Sequence, residues 1–181
     1  MKVEQLKEFC SNNSALKKLC SPWSRGEYTY ATNGHILVRV KRLDEIAENP
    51  ASPDADNMFA DNTKHPWQWM DVPEPVWTVE KCECCQGTGK HCVAPAEIAC
   101  EERDEIGIDC RDCVGGEIKK GTVTIDGPQG KVAFDSKYIA MLRNLPGVKI
   151  GVLGNQCSPI PAIPSPFTFD GGDGLLMPMR L

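Results

Sequence analysis

The sequence predicts an α+β fold, with two helices packed on an antiparallel sheet and a separate cysteine-rich module set into the chain. Three observations carry this expectation. Apolar residues recur at helical spacing twice, near the N-terminus and again after residue 135. An Asn33-Gly34 pair sits between two β-prone runs, the strongest short hairpin signal a sequence offers. Finally, Cys82, Cys84, Cys85, Cys92, Cys100, Cys110 and Cys113 crowd into residues 78–116.

Taken in order, Val3, Leu6, Phe9, Cys10, Leu16, Leu19 and Cys20 mark one apolar face over residues 2–20. Asn12-Asn13-Ser14 interrupts it, and these side chains compete for backbone hydrogen bonds, so a kink or split is expected there. Pro22 ends the segment. Tyr28–Thr32 and His35–Val40 read as the two strands of the hairpin. Between Asp44 and Pro75 the prolines Pro50, Pro53, Pro66, Pro73 and Pro75 predict a meandering loop rather than packed elements. Trp67, Trp69 and Trp77 are too apolar for water, which predicts that this stretch folds back on the body. After the cysteine module, residues 121–126 and 131–134 read as strands around the Gly127-Pro128 turn. Asp135 or Ser136 caps a second helix whose face is Tyr138, Ile139, Met141, Leu142 and Leu145. Residues 148–153, 167–170 and 175–179 supply the remaining strands, with Gly171-Gly172-Asp173-Gly174 as the last turn.

Composition narrows the functional classes. Apolar residues make up 41% and charged residues 25% of 181, the balance of a globular protein. No apolar run approaches the roughly 20 residues that cross a bilayer. The opening Met1–Glu8 mixes charges where an export signal needs an apolar stretch. A cytoplasmic protein without membrane partners is expected, with its ten cysteines reduced or metal-bound rather than paired. The net charge of −5 argues against a surface coated in basic residues but leaves a local basic face open. His35, His65 and His91 occur singly, and no phosphate loop, serine elbow or carboxylate–metal cluster is present, so no enzymatic activity is expected.

Within the module, Cys82-Glu83-Cys84-Cys85-Gln86-Gly87-Thr88-Gly89 contains C-x-x-C-x-G-x-G, and Cys110-Arg111-Asp112-Cys113 supplies a partner pair. Two thiolates separated by two residues grip one tetrahedral ion, and two such pairs complete a four-thiolate site. One structural zinc on Cys82, Cys85, Cys110 and Cys113 is therefore expected. With four protein ligands there is no open position for catalysis. Cys84, Cys92, Cys100 and His91 remain as substitute ligands or a second site. Cys10, Cys20 and Cys157 read as buried small apolar residues.

The module resembles the cysteine-rich domain of the J-type co-chaperone DnaJ, whose repeats are C-x-x-C-x-G-x-G. That family has four repeats and two zincs. Here there are two repeats, Glu117 replaces the last glycine of the second, and no His-Pro-Asp signature exists. The resemblance implies a zinc-stabilised protrusion and not chaperone activity.

A second resemblance covers residues 1–43 and 120–181. Leu175-Leu176-Met177-Pro178-Met179-Arg180-Leu181 is similar to the end of the bacterial DNA polymerase III beta sliding clamp, which finishes Met-Pro-Met-Arg-Leu. Ala31-Thr32-Asn33-Gly34-His35-Ile36-Leu37 resembles the clamp's recurring Ala-Thr-Asp-Gly-His-Arg-Leu hairpin. Phe134-Asp135-Ser136-Lys137-Tyr138-Ile139 resembles the segment that opens a clamp domain's second helix. The resemblance implies one discontinuous clamp-type domain, 1–43 and 117–181, with a Pro-rich connecting segment 44–77 and a zinc module 78–116 inserted.

A clamp polypeptide has three domains and its ring six, so one copy cannot encircle DNA; a ring would need a homo-oligomer of six. The resemblance implies an accessory protein of DNA replication or repair that binds double-stranded DNA or replication proteins. The DNA-facing candidates are Lys7, Lys17, Lys18, Lys137 and Arg143, although charges on a helix face are ordinarily just solvated. Clamps also dock short apolar peptides against their C-terminal segment, which makes Met177, Pro178, Met179 and Leu181 peptide-binding candidates. The bland alternative for them is a strand closing the sheet. Half of the family's pocket comes from a neighbouring domain that this chain lacks. A protein–protein adaptor or inhibitor that mimics a clamp domain without touching DNA is the competing expectation.

Overall fold

The computed structural model describes residues 1–49, 52–92, 107–110, 113–153 and 163–179. The chain divides into two units, Met1–Pro75 with Thr122–Leu181, and Val76–Gly121. Residues 44–75 of the expected connecting segment therefore group with the larger unit.

The larger unit opens with α1, Val3–Lys7, followed by a 3-10 turn over Ser14–Leu19. The break falls at the predicted Asn-Asn-Ser run, where the Asn13 side chain accepts the Ala15 N–H at 3.0 Å. Cys10 is buried, and burial pushes its thiol up to about 11. Cys20 departs from the expectation of burial. The 3-10 turn takes it off the α-helical stripe, and its exposed thiol donates to the carbonyls of Asn13 and Leu16 at 3.3 and 3.4 Å. Cys157 lies outside the described residues.

Seven antiparallel strands form the main sheet. Three come from the first half: β1 (Trp23–Arg25), β2 (Tyr28–Thr32) and β3 (Ile36–Lys41). One follows the segment 44–67: β4 (Gln68–Asp71). Numbering onward through the small unit, the last three are β11 (Lys149–Val152), β12 (Ser165–Phe169) and β13 (Gly172–Leu176). Their order is β1-β2-β3-β13-β12-β11-β4. A separate hairpin of β9 (Thr122–Gly127) and β10 (Gly130–Asp135) leads into the helix α3, Ser136–Arg143, capped by the Asp135 carboxylate on the Lys137 N–H at 2.8 Å. Each half is thus a helix followed by a three-strand meander: α1 with β1–β3, and α3 with β11–β13. The halves join where β3 runs antiparallel to β13, with Val38 opposite Gly174.

Alternation along the strands sorts the two faces. Ile36, Val38 and Val40 enter the large core with Leu6, Phe9, Val132, Phe134, Ile139, Leu142 and Phe167. Leu37 points the other way, into a smaller cluster with Trp23, Tyr30, Ala55, Phe59 and Leu175. Ala55 and Phe59 come from residues 44–75, where the expected uninterrupted loop is replaced by α2 (Asp56–Asn62) and the edge strand β4. The reason is tertiary: Phe59 buries against the sheet, and β4 pairs with β11, Trp69 opposite Gly151. The α2 face is pinned by charge as well. Arg39 makes two bonds to Asp173 at 2.9 and 2.6 Å, with its guanidinium 3.8 Å from the Phe59 ring centroid.

The expected glycine turn at 171–174 also resolves differently. Gly171 is the turn residue, at φ +97°, but Gly172 and Gly174 lie inside β13. The Phe169 and Phe167 rings lie against them, so close that a Cβ on Gly174 would sit 2.1 Å from Phe167 Cζ.

The smaller unit holds β5 (Thr78–Lys81), β6 (Lys90–Cys92), β7 (Gly107–Asp109) and β8 (Glu117–Lys120) as two ribbons, β5 with β8 and β6 with β7. Thr78 is opposite Lys120, so the chain enters and leaves this unit side by side. Neighbouring strands lie about 5 Å apart. Replacing residues 76–121 with a short Gly/Ser linker should therefore leave a soluble body that unfolds cooperatively in urea. Extending the excision back to residue 46 should abolish that, because it removes α2 and β4.

Candidate functional site

Among the described residues, candidates named from the sequence come together at two places. The first is in the smaller unit. Cys82 follows β5 directly, and the chain turns through Gln86 at φ +53° and Gly87 at φ +83°. This brings the Gly89 N–H to the Cys85 Sγ at 3.3 Å, the backbone-to-thiolate bond that the glycine spacing permits. The two cysteine pairs exchange backbone bonds. The Cys82 N–H donates to the Gly116 carbonyl at 2.8 Å, and the Cys110 N–H to the Gly89 carbonyl at 2.7 Å. The knuckles touch backbone to backbone, and a Cβ on Gly116 would lie 2.1 Å from the Gly87 oxygen. No other residue type fits there.

The ligand atoms of Cys82, Cys85, Cys110 and Cys113 all lie within 4.8 Å of one another. Cys82 and Cys110 sulfurs are 3.9 Å apart, and those of Cys85 and Cys113 are 3.5 Å apart. A tetrahedral ion bonded to sulfur at about 2.3 Å has ligand–ligand edges of about 3.8 Å, so the cluster has the size to hold one metal ion. Burial tends to raise the Cys85 thiol, but the Gly89 N–H, the neighbouring thiols and Gly87 outweigh it and bring it down to about 6. Burial and the thiols of Cys85, Cys110 and Cys82 push Cys113 up to about 12. The Cys85 thiol ionises readily, and a bound cation would favour the thiolate of Cys113 beside it. Cys84 is exposed and outside the cluster. Cys100 and the side chains of His91 and Cys92 lie outside the described residues.

The second place is an apolar cavity of about 200 Å³ in the larger unit. Its floor is the first hairpin, Thr32 to Leu37, beside Leu175 and Met177. The hairpin is set by its turn. Gly34 takes φ +93°, Asn33 Oδ1 accepts the His35 and Ile36 N–H groups at 3.0 and 3.2 Å, and Thr32 Oγ1 donates to the Ile36 carbonyl at 2.6 Å. The Met177 N–H then donates to the His35 carbonyl at 2.8 Å, fixing the C-terminal segment against the turn. Leu19, Trp23, Pro53, Ala55, Met58 and Pro164 complete the lining.

Of the C-terminal candidates, Met177 lines this cavity and Pro178 is buried. Met179 is exposed and donates its N–H to the Ala133 carbonyl at 2.7 Å, bridging to β10 as a sheet-closing residue does. Leu181 lies outside the described residues. The wall residues Trp23, Pro53, Ala55 and Met58 were missed in the sequence. Three of them sit in the Pro-rich stretch whose composition reads as loop.

The basic candidates lie on three elements. Lys7 is exposed on α1, and Lys17 and Lys18 on the 3-10 turn. Lys137 and Arg143, six residues apart on α3, point about 120° apart around the axis. Arg143 is engaged: it donates to the Val72 carbonyl at 2.8 Å and pairs with the Glu74 carboxylate. Among the described residues no helix is long and apolar enough to cross a membrane.

No family model, curated protein or solved structure matches this chain.

Proposed function

We propose that this chain is a clamp-like accessory protein of DNA replication or repair that works by docking a short apolar peptide of a replication partner, with a structural zinc holding its inserted module. The observation that carries the reading is convergence. The Ala31–Leu37 hairpin and the C-terminal segment, two of the three segments that resemble clamp sequence, contribute neighbouring residues to one apolar cavity, the latter through Leu175 and Met177. A helix followed by a three-strand meander, repeated and joined through β3 and β13, accords with a domain built from two equivalent halves. Zinc is the ion favoured by four thiolates at tetrahedral spacing, because soft sulfur ligands and a closed site suit it.

The docking claim is tested by fluorescence anisotropy of a labelled peptide with a Leu-Leu-Phe core between aspartates. Wild type should bind and Met177→Asp should weaken binding about tenfold or more, the cost of losing one buried apolar contact. Binding that ignores Met177→Asp contradicts the reading. A duplex titration at low salt supplies the competing arm. Lys7, Lys17, Lys18 and Lys137 would meet phosphates there, with affinity falling steeply as salt rises.

A further inference from the structure

We infer that the Pro53–Met58 segment is a built-in outer wall of the apolar cavity, with Met58 its selectivity residue, so that one copy of the chain forms a complete site for an apolar peptide flanked by acidic residues. The inference rests on the docking reading above and adds the origin of the wall, the selecting residue and the charge of the ligand.

The sheet supplies only a floor: Leu37, Leu175 and Met177 lie side by side on it. What turns the floor into a cavity is residues 53–58, which stand over it as Pro53, Ala55 and Met58. This segment is held in place at several points. Ala55 is buried in the cluster of Trp23, Leu37 and Leu175. Asp54 pairs with Arg25 at 3.0 Å, and Asp56 accepts the Tyr30 hydroxyl. Phe59, one residue beyond Met58, is buried under the Arg39 guanidinium. A wall anchored on both sides costs little to order when a ligand arrives.

Met58 is the exception within it. It leaves 45% of its surface in solvent while lining the cavity, a large flexible apolar side chain at a rim with no core to fill. Methionine in that setting adapts to differently shaped apolar partners. Among the described lining residues there is no Asp, Glu, Lys or Arg, which suits a peptide whose central side chains are apolar. Lys17 and Lys18 are exposed and immediately precede the lining residue Leu19. Asp54 and Asp56, which flank the lining residue Ala55, are engaged by Arg25 and by the Tyr30 hydroxyl, so the lysines beside Leu19 supply the positive charge that acidic residues flanking the apolar core would meet.

The test uses the full chain and two labelled peptides, one with Leu-Leu-Phe between aspartates and one with the same core between lysines. The aspartate peptide should bind a monomer one to one by light scattering, and more tightly than the lysine peptide. Met58→Asp is a surface change near a helix start and should fold normally by circular dichroism. It should weaken binding about tenfold or more, while Met58→Leu should stay near wild type. Lys17→Glu with Lys18→Glu should erase the preference between peptides. If Met177→Asp abolishes binding but Met58→Asp does not, the docking reading stands and the wall inference is overturned. Binding that appears only in dimers also overturns it. If neither peptide binds wild type, the docking reading fails and takes the inference with it.

Discussion

Cys110→Ser is expected to release the metal and unfold the smaller unit while the larger one keeps its stability. The buried cluster of the described part of that unit consists of Cys82, Cys85 and Cys110, with Cys113 and Ile118 packed against it. Every residue of β5 is exposed, and β8 buries only Ile118 in part. Among the described residues no apolar core holds these ribbons, and two-stranded pairs are marginal alone. An ion held by the four thiolates would supply that missing stability. Structural zinc binds with an apparent free energy on the order of 10–16 kcal/mol at neutral pH, and that binding energy is folding energy. Metal analysis of wild type should give close to one equivalent of zinc per chain, and Cys110→Ser close to none. Hydrogen exchange across residues 76–121 should then rise toward the unfolded rate, with α3 and β11–β13 unchanged. Cys84→Ser should retain the metal, because its thiol stands outside the cluster. Full metal retention in the double Cys82→Ser, Cys113→Ser variant would show that the ligands are elsewhere.

The second large effect belongs to the larger core. Phe167 is fully buried on β12, next to the central strand β13, and its ring lies across Gly174. Phe167→Ala should cost about 3–5 kcal/mol, the range for removing a buried aromatic ring and leaving a cavity. Gly174→Ala should cost about 1–3 kcal/mol for the opposite reason, overfilling a space already taken. The new Cβ would lie 2.1 Å from the Phe167 ring and 2.4 Å from the Leu37 carbonyl oxygen. The ring can turn, but a carbonyl in a strand cannot. Urea unfolding of both single variants and the double should therefore show coupling, since in Phe167→Ala the ring clash is gone and only the carbonyl contact remains. Additive costs would mean that the ring and the glycine do not share their space.

These two sites also show what a sequence makes legible. The cluster of four cysteines is readable because C-x-x-C spacing is a local property of the chain, and the glycines beside it announce the turns. The first hairpin is readable for the same reason: Asn33 and Gly34 carry the turn chemistry within two residues. The role of Gly172 and Gly174 is not, since it depends on which strand lies next to β13 and on the rings that strand carries. α2 is hidden because its aspartates, asparagines and flanking prolines outweigh a short apolar face, Ala55 and Phe59, that acquires meaning only against the sheet. β4 exists through pairing with β11 and buries little of its own surface. Arg143 reads as one charge on a solvated helix face, and only tertiary structure brings Val72 and Glu74 to it. The cavity combines both cases. Its hairpin and terminus stand out as sequence, whereas Pro53, Ala55 and Met58 reach it through the fold.

The docking claim is tested most directly on the methionines themselves. With ¹³C-labelled methyl groups the protein gives six methionine signals, from Met1, Met58, Met70, Met141, Met177 and Met179. Of these, Met58 and Met177 line the cavity. Titration with the aspartate-flanked Leu-Leu-Phe peptide should shift those two signals together along one saturable curve and leave Met70, Met141 and Met179 in place. Saturable binding that moves neither Met58 nor Met177 would put the peptide elsewhere on the molecule and contradict the account.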